Sequence, residues 1–186
     1  MTFNKILVSV LLVVAVQAFA GAARASDISV FAGIEMPTSS ISIDGIKSAL
    51  DNGPIFGLRY GSDFIRYLGM EHTVAFSSDY LFPSGNPDVE AARGFLYNSN
   101  LRINFPGVAG KMVPFLTAGV GIIHQYGDRG LLGTKLAFNY GGGVKFPKLA
   151  GPLGARIDYR AYNAGVLTKR LNINELSGGL MISLGR

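Results

Sequence analysis

The residues best suited to chemistry are two histidines, His72 and His124, in a chain that has no cysteine. Imidazole can ligate metals and carry protons near neutral pH, but a metal site needs further ligands at suitable spacing. Neither histidine has a second histidine or a carboxylate so placed on a shared strand face. We therefore expect both to be structural or interfacial. The sequence predicts no catalytic residue, no metal site and no cofactor.

A carboxylate pair and a glycine run also invite a chemical interpretation. Glu71 and Asp79 lie on one face of a predicted strand, but that places them about 26 Å apart at about 3.3 Å per residue, too far to share a substrate. The triplet Gly141–Gly143 lacks the spacing of a phosphate-binding loop, and no predicted helix follows it. We interpret these glycines as sites of close strand packing.

The charged residues follow a strand period. Residues 153–162, LGARIDYRAY, alternate an apolar row with a row that carries Arg156, Asp158 and Arg160. Successive strand residues point to opposite faces, so this segment is predicted to be a strand with one apolar and one charged side.

The same alternation recurs in eight segments bounded by turn-forming residues. They span residues 27–36, 54–61, 67–81, 95–105, 113–125, 135–146, 153–162 and 173–184. The connections 62–66, 106–112 and 147–152 are short, whereas 38–53, 82–94, 126–134 and 163–172 are longer and more polar. The pattern predicts one all-β domain, an eight-stranded antiparallel up-and-down barrel whose closure removes free sheet edges.

The N-terminus has the features of a secretory signal peptide. Lys5 precedes an apolar run over residues 6–20, and Ala23 and Ala25 form an A-x-A site. We predict a signal peptide over residues 1–25 and a barrel domain over 26–186. The apolar run is shorter than the roughly 20 residues of a spanning helix, which disfavours a membrane anchor.

Composition indicates a large surface that does not face water. Charged residues make up 16% of the chain and glycine 25 of 186 residues, against averages of about 25% and about 7%. Without Lys5 and Arg24, 15 of the 17 basic residues remain against 12 acidic ones, a net charge of +3. So mild a charge does not indicate nucleic-acid binding.

Alternation alone leaves open which face lies inside the barrel. A soluble exported barrel of the lipocalin kind places its apolar row inside around a ligand, whereas an outer-membrane barrel is inverted. Aromatic residues near the ends of the apolar row favour the membrane barrel, so we predict an eight-stranded antiparallel up-and-down transmembrane β-barrel. They are Phe95, Phe105, Phe138, Tyr140, Phe146 and Tyr159.

The polar row mixes small residues with charges of both signs, as a narrow, packed lumen requires. We predict an inward-facing charge network in which opposite charges pair, because an unpaired buried charge is costly. Its members are Glu35, Glu71, Asp79, Asp158 and Glu175, with Arg59, Arg102, Lys145, Arg156 and Arg160.

Three segments resemble the OmpA-like outer-membrane β-barrel family of Gram-negative bacteria: PFLTAGVGIIH, LAFNYGGGVKFP and LGARIDYRAY. They are similar to that family's fifth, sixth and seventh strands, and the resemblance extends over residues 27–184. It implies a monomer in the cell outer membrane, inserted by the barrel-insertion machinery. One departure is the C-terminus, MISLGR, where Leu184 stands in place of the family's terminal aromatic residue.

A second resemblance concerns the lipid A deacylases, barrels with a motif similar to H-x-S-N-A-G. The corresponding stretch here, residues 160–165, keeps Asn163, Ala164 and Gly165 but has Arg160 and Tyr162 in place of the base and the nucleophile. A hydroxyl is not activated for acyl transfer without that pair. We therefore predict no enzymatic activity of this kind.

The longer connections remain as the place for function, since loops on a rigid scaffold commonly carry binding. We expect a structural or surface-interaction role, with outer-membrane lipid and lipopolysaccharide as partners and no nucleic acid. The alternatives are a soluble exported ligand-binding barrel and a lipid A-modifying enzyme. An open pore is not expected, since eight strands leave little free interior.

Overall fold

The computed structural model describes residues 25–38, 41–43, 46–48, 50–78, 93–105, 112–126, 133–165 and 171–184. Residues 1–24 of the predicted signal peptide lie outside this part of the chain. The strands are β1 (Ala25–Pro37), β2 (Ile41–Ile43), β3 (Ile46–Ser48), β4 (Gly53–Ile65), β5 (Leu68–Ser77), β6 (Arg93–Asn104), β7 (Val113–Tyr126), β8 (Thr134–Ala150), β9 (Leu153–Ala164) and β10 (Leu171–Ser183). None of the described residues form a helix long and apolar enough to cross a membrane.

Eight of these strands form a closed antiparallel barrel. From β4 to β10 each strand pairs with the next one along the chain, and β1 pairs with both β4 and β10, which closes the sheet. The predicted fold is therefore confirmed. We call the end where β4–β5, β6–β7 and β8–β9 are joined the turn end, and the opposite end the loop end.

Several boundaries differ from the predicted ones. Strand β5 ends at Ser77, and residues 79–81, predicted to continue it, lie outside the described residues. Strand β8 runs on to Ala150 through a register shift after Phe146. The turn to β9 is accordingly tighter than predicted, and Gly151 takes a φ of 61° there, which glycine adopts readily. The predicted loop over residues 38–53 contains the short antiparallel hairpin β2–β3.

The apolar row faces outward and the charged row faces inward. Ile157 and Leu180 are 57% and 66% exposed, whereas Arg59 and Arg102 are 0% exposed. A soluble ligand-binding barrel needs the reverse arrangement, so that alternative is wrong. The outward surface is the one that a bilayer would cover.

The outward aromatic residues are not all exposed. Phe105, Phe138, Tyr140 and Tyr159 are exposed as predicted. Phe95, in contrast, is buried and packs edge-on against Phe76, with ring centroids 5.3 Å apart. Phe95 thus belongs to a side-chain cluster on the barrel wall and does not present its ring to lipid.

The interior is divided along the barrel axis. Near the loop end many of its inward residues are apolar and form one buried cluster, which we call the apolar cap. The apolar cap consists of Phe31, Leu50, Ile55, Ala75, Leu96, Ile123, Ala137, Tyr162, Ala164, Leu171 and Ile173. The packed lumen is therefore polar over only part of its length. Buried charges fill most of the rest, together with the buried side chains of Phe115 and Met181.

Candidate functional site

The strand period explains why one network of charges fills the barrel. Arg59 on β4, Glu71 on β5 and Arg102 on β6 share the inward parity of their strands, and all three are buried. Strand β9 contributes three consecutive inward charges, Arg156, Asp158 and Arg160. Lys145 on β8 and Glu175 on β10 complete the set. We call the inward charges of the described residues the ion-pair network.

Glu71 is the hub of the ion-pair network. Its Oε2 accepts hydrogen bonds from Arg156 Nη1 at 2.8 Å and from Arg102 Nη1 at 3.3 Å. Its Oε1 accepts a third, short hydrogen bond from Arg160 Nη2. Three guanidinium groups from two strands thus converge on one fully buried carboxylate. Charge-assisted hydrogen bonds of this kind are the strongest in proteins.

Asp158 forms a second centre. Arg156 donates to it from Nε at 2.8 Å and from Nη2 at 2.6 Å, a bidentate contact within one strand. Arg59 Nη1 and Arg160 Nη2 each donate at 3.2 Å. Arg160 and Arg156 therefore bridge Asp158 to Glu71, so the two centres are one connected unit.

Glu175 connects the network toward the loop end. It accepts hydrogen bonds from Arg59 Nη2, from the Tyr162 hydroxyl at 2.7 Å and from the Ser177 hydroxyl at 2.5 Å. The Arg59 guanidinium also lies 3.6 Å from the centre of the Phe31 ring. Arg59 thus joins the ion pairs to the apolar cap by a cation–π contact.

At the turn end, two carboxylates that the sequence analysis omitted take part. Asp27 accepts hydrogen bonds from Lys145 Nζ at 2.8 Å and from Arg102 Nη1 at 3.3 Å. Asp63 accepts one from Arg102 Nη2 at 2.8 Å. Asp27 has the inward parity of Glu35, a signal that could have identified it, whereas Asp63 falls in a predicted connection.

Two predicted members stand apart. Asp79 lies outside the described residues. Glu35 is inward-facing and buried opposite Glu175, yet neither of its carboxylate oxygens has a hydrogen-bond partner among the described residues. The prediction that all five acids pair with the five bases therefore fails at Glu35.

Glycine provides the space that these long side chains need. A Cβ built on Gly61 would lie 2.1 Å from Arg102 Nη1. A larger residue there would displace a guanidinium that three carboxylates hold in place. Gly61 is thus part of the packing of the charged interior. In the triplet interpreted as a site of close strand packing, a Cβ on Gly141 or Gly143 would lie 2.2 or 2.1 Å from a carbonyl oxygen of β9.

Both histidines lie on outward rows. His72 Nδ1 is 3.2 Å from the Tyr97 hydroxyl, and the two rings stack with centroids 6.3 Å apart. His124, at the loop end of β7, has Nδ1 2.7 Å from Thr134 Oγ1 and stacks on Tyr126. Among the described residues, no three His, Cys, Asp or Glu side chains are placed to hold a metal ion.

Arg160 and Tyr162, which stand in place of the base and the nucleophile of the deacylase motif, are both buried in the barrel interior. Arg160 donates to Glu71 and Asp158, and Tyr162 donates to Glu175. These contacts stabilise the buried charges. None of the contacts described pairs either side chain with a histidine. The chemical capacity of this arrangement is to fill and rigidify the barrel interior.

The comparisons with known proteins agree with this geometry. A family model described as "Outer membrane protein beta-barrel domain" matches residues 6–183. The fold is similar to the crystal structure of Neisserial surface protein A (NspA), with a TM-score of 0.63, 17% identity, and coverage of 87% of this chain and 98% of that one. No curated protein sequence matches.

Two further structures are similar in fold. The attachment invasion locus protein Ail of Yersinia pestis has a TM-score of 0.54 and 17% identity, covering 86% of this chain and 98% of that one. The outer membrane enzyme PagL has a TM-score of 0.51 and 16% identity, covering 84% of this chain and 98% of that one. At these identities the likeness concerns the fold, which hosts both an attachment protein and an enzyme.

Proposed function

Since this chain belongs to the family of outer membrane protein beta-barrel domains, we propose that it is a monomeric scaffold that presents its loops for surface interaction. It is an integral protein of the cell outer membrane. The observation that carries the proposal is the filled interior, where the ion-pair network and the apolar cap occupy the space that a channel would need. Function then resides on the exterior, and long polar connections are concentrated at one end.

The first partners we propose are lipids. Outward residues such as Leu58, Ile157 and Leu180 are about half exposed or more and suit acyl chains. At the loop end the outward row turns polar, with His124 beside Thr134 and Arg93 opposite Tyr126 in the β6–β7 register. This transition suits the headgroup region of lipopolysaccharide. The barrel-insertion machinery is a further partner, and no nucleic acid is involved.

The membrane state is tested first by a gel assay. The full chain is expressed in a Gram-negative host, and isolated outer membranes are run on SDS gels with and without boiling. We expect the unboiled protein to migrate faster and to resist carbonate extraction. Recovery from the soluble periplasm without a heat shift would contradict the proposal.

Cleavage after residue 25 is tested on the same material. Mass spectrometry of the purified protein should give an N-terminus at Ser26. The inward contacts of Asp27 with Arg102 and Lys145 support a mature chain that begins just before this position. Retention of residues 1–25 in the inserted barrel would contradict this boundary.

The loop role is tested by replacing residues 83–92 with a short Gly-Ser linker. We expect the variant to keep its heat shift, because the substitution leaves β5, which ends at Ser77, and β6, which begins at Arg93, unchanged. Attachment of expressing cells to immobilised lipopolysaccharide and to matrix-coated plastic should fall relative to wild type. If the variant is present in the membrane in wild-type amounts and attachment is unchanged on every surface, the proposed surface-interaction role of this loop would be contradicted.

We also propose that the protein is not an enzyme, although one observation favours the alternative of lipid A modification. The His124–Thr134 contact places an imidazole beside a hydroxyl on the outward face at the loop end. The test is mass spectrometry of lipid A from cells expressing wild type or His124→Ala. Identical, fully acylated lipid A supports the proposal, and a deacylated species that needs His124 would contradict it.

A further inference from the structure

Glu35 is the one predicted network acid within the described residues that lacks a counter-charge. It is 2% exposed, and neither Oε1 nor Oε2 has a hydrogen-bond partner among the described residues. An isolated buried carboxylate costs several kcal/mol, which proteins avoid by pairing or neutralising the group.

The surroundings of Glu35 make the cost larger. On β10 the residue directly opposite is Glu175, and on β4 it is Gly53, which has no side chain. Glu175 is already engaged by Arg59, Tyr162 and Ser177. Residues directly opposite in an antiparallel pair have Cβ atoms about 4.5–5.5 Å apart. Two inward carboxylates therefore face one another. The Arg59 guanidinium is bound to Glu175, and no ion pair is described between it and Glu35.

Within the part of the chain that the structure describes, the other neighbours of Glu35 offer no positive charge. From β5, the Ser77 hydroxyl faces the Glu35 carboxyl but is itself buried and closes no hydrogen bond. The inward residues Ile55 and Ile173, next to the positions opposite Glu35 on β4 and β10, belong to the apolar cap, as does Phe31 on β1. The carboxyl and the hydroxyl are thus two unsatisfied polar groups at the border of an apolar region.

A count of inward charges gives the same result. Within the described residues the interior holds six acids, Asp27, Glu35, Asp63, Glu71, Asp158 and Glu175, and five bases, Arg59, Arg102, Lys145, Arg156 and Arg160. Every acid except Glu35 is in an ion pair. One positive charge is missing, and it is missing at Glu35.

We propose that Glu35 and Ser77, beside Glu175, form a binding site for a single positive charge, either a proton on the Glu35 carboxyl or a small monovalent metal ion. A proton would make Glu35 a hydrogen-bond donor, for which Ser77 and Glu175 supply acceptor oxygens. A metal ion would take the same oxygens as ligands. In both cases the bound charge keeps the apolar cap in contact with the ion-pair network.

The test compares wild type with Glu35→Gln, a neutral side chain of the same shape. The full chain is purified from outer membranes in detergent, and infrared difference spectra are recorded between the two proteins. A bound proton predicts a protonated-carboxylic-acid carbonyl band in wild type that Glu35→Gln lacks. In addition, the thermal midpoint of wild type should fall relative to that of Glu35→Gln as pH rises, because only wild type can lose the proton.

A metal ion is distinguished at fixed pH and ionic strength. Replacing Na⁺ and K⁺ by tetramethylammonium should lower the thermal midpoint of wild type by several degrees and leave that of Glu35→Gln unchanged. Ser77→Ala keeps the carboxyl and should shift the acid band or weaken the dependence on Na⁺. The control Asp158→Asn removes a paired carboxylate that is not part of this site, and it should lower the midpoint at every pH and in every salt.

Two results would overturn the proposal. One is the absence of both the acid band and the metal-ion dependence in wild type. The other is a Glu35→Gln protein that is destabilised like Asp158→Asn or fails to fold. The neutral glutamine has the shape of a carboxyl whose charge is already neutralised, so the site should accept it.

Discussion

Glu71 shows why the buried charges must be considered together. Each guanidinium bound to it also contacts a second carboxylate, Asp158 or Asp27. Withdrawing an ion from water costs several kcal/mol, and only complete pairing offsets that cost. The fully paired network can therefore be stable, whereas removing any one charge leaves its partners buried and unpaired. Single substitutions should accordingly show how much each charge contributes to stability.

Glu71→Gln should be strongly destabilising. The change keeps the shape of the side chain but leaves the three arginines with one buried negative charge fewer. Breaking a buried pair costs about 3–5 kcal/mol, and we expect a loss of that size in the free energy of unfolding in urea. Asp51→Asn, at an exposed acid, is the control and should be nearly neutral. Equal effects of the two substitutions would contradict a network centred on Glu71.

Two tyrosines give a matched test of a single hydroxyl. Tyr162 donates to the buried Glu175 carboxylate, whereas the exposed Tyr159 donates to Asn174 at 3.0 Å on the outer surface. A hydrogen bond to a charged group is worth about 1.5–3 kcal/mol and a neutral one about 0.5–1.5. In the same urea assay, Tyr162→Phe should therefore cost more than Tyr159→Phe. The reverse order would mean that Glu175 does not depend on this bond.

At the scale of the strands, glycine determines how closely neighbouring backbones approach. A Cβ on Gly141 would lie 2.2 Å from the Tyr159 carbonyl oxygen of β9, whereas one on the outward Gly178 would come no nearer than 3.9 Å to its neighbours. A substitution by alanine should therefore be unfavourable at the closely packed Gly141 and harmless at Gly178, where the added methyl group has space.

Gly141→Ala should accordingly destabilise the barrel by about 1–3 kcal/mol, the usual cost of overpacking. Gly178→Ala should have little effect, because the new methyl group meets open space. The measurement is the temperature at which the heat shift on SDS gels is lost. A Gly178→Ala protein as labile as Gly141→Ala would show that strand glycine is needed for a reason other than packing.

The strand pattern predicted the barrel because a period of two determines which residues share a face. It placed Arg59, Glu71 and Arg156 on one side and Ile157 on the other from sequence alone. The same period does not report which strands are neighbours across the interior, so the contact of Glu71 with Arg160 could not be derived. Nor could the apolar cap, since Ile55 and Ile123 become a cluster only when the strands are staggered around the barrel.

The whole molecule combines a charged interior with an apolar exterior, the reverse of a soluble protein. The interior was predicted as five acids paired with five bases, a balance that counted Asp79 and omitted Asp27 and Asp63. Asp63 was omitted because it falls in a predicted connection, whereas Asp27 shares the inward parity of Glu35 and could have been included. Asp79 lies outside the described residues. The resulting excess of one inward acid in the described residues is what points to the cation site at Glu35.

The inverted arrangement makes the effect of an added charge depend on depth in the membrane. Ile157 lies in the middle of the outward row of β9, and Leu149 lies beside the β8–β9 turn; both are exposed. An outward arginine costs about 2–4 kcal/mol at the bilayer midplane and about 0–1 near the interface. Ile157→Arg should therefore lower the unfolding free energy in lipid vesicles far more than Leu149→Arg. In an aqueous environment both surface substitutions would be nearly neutral, so equal small effects would show that this surface does not face hydrocarbon.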